Sequence, residues 1–157
     1  MTGKIMGLDY GTKTVGVAVS DPLLQVAHPK ETIFRDSEKR LRKTLARIEA
    51  LIQEEQIEAI VVGLPLMPDG TEGERAKKAR EFADRLKART DLSVYLQDER
   101  YTTTASDEEL EIMQVKREDR KKVIDQLAAC HILDEFLNRS REEESKKRKL
   151  TDRKEYR

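Results

Sequence analysis

Three acidic positions lie where a solvated acid is not expected. Asp9 lies near the end of the strand-like run 5–10, whose alternation places it on the same face as Ile5 and Gly7. Glu99, with Asp98 beside it, directly follows a second short strand pattern. Asp125 begins the apolar stripe of the last predicted helix, and that stripe continues through Ala128, Ala129, Ile132, Leu133 and Phe136. A buried charge is costly unless it is paired or binds a metal, so the three acids predict a functional site.

Carboxylates from the first strand, a later strand and the last helix suggest one site for a hard cation. Mg²⁺ and Mn²⁺ prefer oxygen ligands and keep several waters, so a few acids suffice. Such a cluster suits phosphodiester hydrolysis, in which one ion activates the attacking water and a second stabilises the leaving oxygen. Each acid also has an ordinary interpretation: Asp9 as turn chemistry, Glu99 as part of a charged surface triplet, and Asp125 as an acid favoured by the helix dipole.

Groups that suit phosphate are predicted around these acids. Gly11 keeps the surface near Asp9 bare, so that a bulky ligand could approach the backbone. Lys13, Arg100 and the start of a helix near Glu74 are expected to border the site, because cations and free N–H groups at a helix start bind phosphate oxygens.

The remaining candidate residues point to packing. His28 and His131 lack the spacing of metal ligands, and Cys130 is interpreted as a small buried side chain. The chain contains neither GxGxxG nor GxxxxGK[ST], which excludes the common dinucleotide and P-loop motifs.

The elements that must position the acids follow from the hydrophobic periodicity. Runs 4–10 and 14–20 alternate across a Gly-containing turn and predict a β-hairpin, with a third strand near 30–34. Next come a helix capped by Asp36 or Ser37, a buried strand at 57–63 and a helix from Glu74. They are followed by a strand at 93–97, a short helix near 103–113 and a helix over about 118–137. The order β-β-β-α-β-α-β-α predicts an α/β three-layer domain with a five-stranded mixed sheet and helices on both faces.

Length and composition predict the number of domains and the location of the protein in the cell. The 157 residues, 39% of them charged, predict one domain over residues 1–138 and a charged extension over 139–157. The extension has nine Lys and Arg against five Asp and Glu, so it is net basic, whereas the body is slightly acidic. No run reaches the roughly 18 apolar residues of a membrane span, and the start of the chain lacks the pattern of a signal peptide, so a cytoplasmic protein is expected.

Four motifs in order resemble those of a known family. They are IMGLDYGTKTVGVAVSD, VVGLPLMPDGTEG, DERYTT and VIDQLAACHIL. Over about residues 4–138 the chain closely resembles the YqgF-type family, whose members are assigned to Holliday junction resolution or to the maturation of pre-16S ribosomal RNA.

The resemblance implies a ribonuclease H-like fold and an acidic catalytic and metal-binding site at Asp9, Glu99 and Asp125. Arg100, Thr102 and the GLP loop after the fourth strand also match the family pattern. It further implies a bacterial cytoplasmic nuclease that uses Mg²⁺ or Mn²⁺ to process the 5′ end of pre-16S rRNA, with structured RNA, branched DNA or ribosomal precursor particles as partners.

One feature departs from better-studied resolvases of this fold. Those carry an acid on the fourth strand, whereas residues 57–65 here contain only Glu58, at the wrong end. Glu99 on the fifth strand is therefore expected to substitute for it.

Two other classes of function stay open. Asp9-Tyr10-Gly11-Thr12 also fits the phosphate hairpin of sugar kinases, actin and Hsp70 ATPases, but those proteins need two lobes and a much longer chain. A ribosome-assembly or nucleic-acid-binding factor with a degenerate site is the non-enzymatic alternative, and it would need no divalent metal.

Overall fold

The computed structural model describes residues 3–37, 40–99 and 107–155, without the side chains of 107 and 150–155. Five strands and four helices follow one another along the chain. The strands are β1 (Lys4–Tyr10), β2 (Thr14–Ser20), β3 (Ala27–Phe34), β4 (Ile57–Leu64) and β5 (Ser93–Asp98). The helices are α1 (Leu41–Glu55), α2 (Glu74–Thr90), α3 (Asp107–Ile112) and α4 (Arg120–Glu155), the last preceded by a 3₁₀ turn at Arg117–Asp119.

The sheet has the order β3-β2-β1-β4-β5 and is mixed, as predicted. The predicted hairpin pairs β1 with β2 antiparallel, and Asp9 lies directly opposite Gly16. β4 lies parallel to β1, and β5 parallel to β4. The carboxyl ends of β1, β3, β4 and β5 therefore meet at one edge of the sheet, together with the amino-terminal ends of α1 and α2.

Helices cover both faces of the sheet, which gives the predicted three layers. On one face α1 and α2 pack on residues such as Leu8, Val17 and Ile60. On the other face α4 packs through Ala129, Ile132 and Leu133 against Ile5, Ala18 and Val61. Among the described residues, no helix combines the length and apolar character needed to cross a bilayer.

Three predicted boundaries were wrong. The third strand begins at Ala27, because β2 pairs with it along its whole length. The residue that caps α1 is Arg40 and it makes no side-chain cap bond, so neither Asp36 nor Ser37 caps the helix. α4 continues to Glu155, well past the predicted end near Leu137, so one helix joins the body to the basic extension. Of the short helix predicted near 103–113, residues 103–106 lie outside the described residues, and α3 is described from Asp107.

α4 approaches the sheet closely over the hairpin. A Cβ added to Gly16 would lie 2.0 Å from the backbone oxygen of Asp125, and one added to Gly7 would lie 2.8 Å from Cβ of Leu133. No side chain fits in either space, so glycine at these two strand positions lets α4 lie on the hairpin.

We expect Gly16→Ala to lower the free energy of unfolding by about 1–3 kcal/mol, because the added methyl group meets backbone that cannot rotate away. Gly73→Ala is the control, since its Cβ would find nothing closer than 3.4 Å. Urea unfolding followed by circular dichroism measures both. A loss for Gly16→Ala no greater than that for Gly73→Ala would contradict the close approach of α4.

Candidate active site

The site is built at the edge of the sheet where β1, β4 and β5 end. Asp9 is the penultimate residue of β1, and its side chain lies on the face that α4 covers, because its partner Gly16 is the residue under Asp125. Burial raises the pKa of Asp9 to about 6, with the neighbouring Asp125 carboxylate as the next cause. Asp9 and Asp125 are therefore close enough to repel each other.

Two strands hold the turn of α4 that carries Asp125. Gly16 on β2 gives room for the backbone of Asp125. Thr32, which pairs with Gly16 from β3, donates its hydroxyl to the carbonyl of Lys122 at 2.7 Å and accepts a bond from Gln126 Nε2 at 3.1 Å. Asp125 Oδ2 is buried and has no hydrogen-bond partner among the described residues. Asp125 is thus half-buried, and its buried oxygen is left to accept from a ligand.

Glu99 reaches the same face from β5. Its backbone N–H donates to the carbonyl of Leu64 at 3.2 Å, which continues the parallel ladder one residue beyond the strand. Its carboxylate lies over Gly63, where an added Cβ would come within 1.9 Å of Oε2. Burial raises the pKa of Glu99 to about 8, with Asp9 as the next cause. Alternation along β5 turns Asp98 to the opposite face.

The fourth strand has no acid at the end where the site lies, and the Glu99 carboxylate lies over it there. Glu58 lies at the other end of β4 and is exposed. Near the functional end, the bare backbone of Gly63 leaves the space of a side chain, and the carboxylate of Glu99 occupies it. An acid from β5 thus lies over the end of β4, as expected from the sequence.

These acids suit a divalent cation by their chemistry. Asp9 is coupled to both other carboxylates, and Asp125 offers an unpartnered buried oxygen. Among the described residues, no three His, Cys, Asp or Glu side chains already surround a common point as metal ligands. Repulsion between the carboxylates keeps them apart when no cation lies between them. Their oxygen atoms are the type of ligand that Mg²⁺ and Mn²⁺ prefer.

Arg75 is a neighbour of the site that the sequence did not reveal. It lies in the first turn of α2, and its positive charge lowers the pKa of both Asp9 and Glu99, against the larger effect of burial. The start of α2 therefore lies beside the acids. Glu74 and Arg75, its first two residues, line a cavity of about 50 Å³ together with Gly11 of the hairpin turn. An exposed arginine in a chain rich in arginine carries no sequence signal, and only the crossover from β4 brings it here.

The other predicted residues have varied positions. Gly11 and Lys13 lie in the turn of the hairpin, where Gly11 N–H donates to the carbonyl of Thr14 at 2.8 Å and the Lys13 side chain is exposed. Arg100 and Thr102 lie outside the described residues. The ring of Tyr10 stacks on the ring of Phe82, with 4.3 Å between the ring centres. Cys130 is buried, with its pKa raised to about 11, and is no activated thiolate.

The raised pKa values predict how stability depends on pH without divalent metal. Asp9 and Glu99 keep their protons to a higher pH in the folded chain than in the unfolded chain, so the folded state binds more protons between about pH 4 and pH 8. The free energy of unfolding should therefore fall as pH rises through this range. For Glu99→Gln we expect a smaller loss between pH 6 and pH 8, by about 1 kcal/mol or more.

Thermal melts in EDTA at pH 6 and pH 8 measure the difference. Glu81→Gln, which changes an exposed acid on α2, should behave like the parent. Equal pH dependence in the parent and Glu99→Gln would show that Glu99 does not hold its proton in the fold.

The sequence matches one family model and named proteins of two bacteria. The family model described as RuvX, Holliday junction resolvase, matches residues 3–139. A protein of Lachnospira eligens named "Putative pre-16S rRNA nuclease" is 55% identical over 134 residues, covering 85% of this chain and 96% of that protein. A Listeria monocytogenes protein of the same name is 47% identical over 135 residues, covering 86% and 97%.

The fold also matches a solved structure. RuvC of Thermus thermophilus in complex with a Holliday junction substrate has a TM-score of 0.51 at 18% identity, covering 88% of this chain and 96% of that chain. The similarity shows a shared ribonuclease H-like fold, as the resemblance of the motifs implied. With its sequence matched from residue 3 to residue 139, the chain belongs to the RuvX family of Holliday junction resolvases.

Proposed function

We propose that this protein is a divalent-metal-dependent nuclease that hydrolyses phosphodiester bonds in structured nucleic acid, with the 5′ end of pre-16S rRNA as its substrate. The observation that carries the proposal is the placement of three acids on one face at one edge of the sheet, with Asp125 against the partner of Asp9 in the hairpin and Glu99 over the bare backbone of β4. Membership of the RuvX family and the names of its relatives support the reaction class. Ribosomal precursor particles in the bacterial cytoplasm are the proposed setting.

Two groups of residues would have different roles in the hydrolysis. Asp9, Glu99 and Asp125 would hold Mg²⁺ or Mn²⁺, which supplies activation of water and stabilisation of the leaving oxygen. Arg75, the start of α2 and the hairpin turn at Gly11 and Lys13 would hold phosphate oxygens beside them. Arg100 and Thr102 are proposed for the same role on their place in the motif.

Branched DNA is the second candidate substrate. The description of the family names Holliday junction resolvases, and the RuvC structure of the same fold holds such a junction. The relatives that share about half of their sequence with this chain carry the ribosomal RNA name, so we place RNA first. Cleavage of a pre-16S leader fragment and of a four-way DNA junction, measured side by side in Mg²⁺ and in Mn²⁺, distinguishes the two.

The central prediction concerns Asp125→Asn, which keeps size and hydrogen bonding but removes one negative charge. Metal-dependent cleavage should fall at least about a hundredfold, which corresponds to roughly 2.7 kcal/mol in the barrier. Without metal the variant should melt no earlier than the parent, because repulsion with Asp9 is relieved. Added Mn²⁺ should raise the melting temperature of the parent more than that of the variant.

Asp84→Asn is the matched control, because it makes the same change at an exposed site on α2. It should keep both cleavage and the response to Mn²⁺. A variant at Asp125 that melts earlier and still cleaves would mean that Asp125 is a structural acid. A parent that binds RNA but cleaves neither substrate in Mg²⁺ or Mn²⁺ would favour an assembly factor.

A further inference from the structure

A strongly basic groove lies beside the site, at the start of α1. Its volume is about 590 Å³, and five cationic residues line it: Arg35, Arg40, Arg42, Lys43 and Arg85. Asp36 is the acid among its described lining residues. The body of the chain is slightly acidic, so this concentration of positive charge is local. A cleft lined by one sign of charge attracts ligands of the other sign.

Arg35 lies at the inner wall of the groove and is only 8% exposed. Its Nη2 donates to the carbonyl of Gly11, and its guanidinium lies 4.6 Å from the centre of the Tyr10 ring. Nε and Nη1 are buried and have no hydrogen-bond partner among the described residues. Buried donors on a charged group are costly to leave unpaired, and the residue that carries them lines a groove with four other cations, so the groove suits an anionic ligand.

The start of α1 adds donors to the same groove. Arg40 caps the helix without a side-chain bond, and the first turn of α1 contains no acidic residue. Among the described residues no side chain caps the N–H groups of this first turn, so they and the helix dipole act with the cations, a combination that suits phosphate groups.

An exposed ring distinguishes nucleic acid from a free phosphate ion. Phe34, the last residue of β3, also lines the groove and is 54% exposed. Lys122 Nζ lies 5.8 Å from the centre of this ring, one helical turn before Asp125. The ring thus lines the groove and lies beside the helix that carries Asp125, where a base could stack while its backbone continues toward the acids.

We propose that this groove binds the phosphodiester backbone of the nucleic acid substrate beyond the cleavage site, with Phe34 stacking on one base. The proposal rests on the proposed function, since it supplies a second contact region for the same substrate. Arg35 links the two regions, because the carbonyl it binds belongs to Gly11, two residues after Asp9.

Lys43→Glu is the sharpest test. It reverses one charge in the groove and places an acid in the first turn of α1, which favours the helix, so the fold should not lose stability. Lys87→Glu is the control: the same change at an exposed lysine in the last turn of α2, outside the groove. Binding of a fluorescent RNA hairpin with a single-stranded 5′ extension is measured by anisotropy in EDTA across a range of salt concentrations.

We expect Lys43→Glu to raise Kd at least about threefold at low salt and to reduce the slope of log K against log salt by about 0.7–0.9, one phosphate contact. Phe34→Ala should raise Kd by about fivefold or more without changing that slope, and Phe34→Tyr should restore binding. Lys87→Glu should leave both quantities unchanged. Inorganic phosphate at the nucleotide concentration of the RNA should compete poorly, since it lacks the base.

Other outcomes separate the groove from the nuclease. If Lys43→Glu matches Lys87→Glu in Kd and slope while the parent cleaves, the groove proposal is overturned and the nuclease stands. If the parent binds RNA through Lys43 but cleaves nothing, the groove stands and the nuclease falls. If inorganic phosphate displaces RNA as effectively as unlabelled RNA does, the groove is a site for free phosphate and the proposal is overturned.

Discussion

Contact between α4 and the bare backbone of Gly16 is the constraint on which the site depends. It places the carbonyl of Asp125 in the space of a side chain, and Thr32 holds the same turn from the next strand. Because Gly16 lies opposite Asp9 in the hairpin, the carboxylate of one acid is brought to the other. Any side chain at position 16 would push the helix, and Asp125 with it, away from the sheet.

The price of that proximity is repulsion between buried carboxylates. Burial and neighbouring charge raise the pKa values of Asp9 and Glu99 to about 6 and about 8, and Arg75 offsets only part of this effect. A divalent cation would relieve this repulsion, so the arrangement that lowers the stability of the fold without metal is the one that would favour metal binding. Glycine again makes the geometry possible, since Gly63 gives the Glu99 carboxylate its place over β4.

Positive charge completes this edge of the sheet in two separate places. Arg75 and the start of α2 lie on one side of the hairpin turn, and the basic groove with Arg35 and the start of α1 lies on the other. Both helices begin at this edge because the strands before them, β3 and β4, end here. The parallel topology therefore brings both helix starts, and the cations beside them, to this edge of the sheet.

Much of this was readable from the sequence. The period of two in β1 and β2 and the period of 3.6 in the helices are local, so they predicted the elements, the mixed sheet and the unusual places of Asp9, Glu99 and Asp125. Local patterns failed at boundaries: α4 continues past Leu137 because charged residues sustain a helix without an apolar stripe. Tertiary structure alone decided the positions of Arg75 and Arg35 and the burial of one side of Tyr10. Their surroundings depend on elements that are distant in the sequence. The local sequence pattern around an arginine or a tyrosine is the same on a solvent-exposed surface as beside a buried carboxylate.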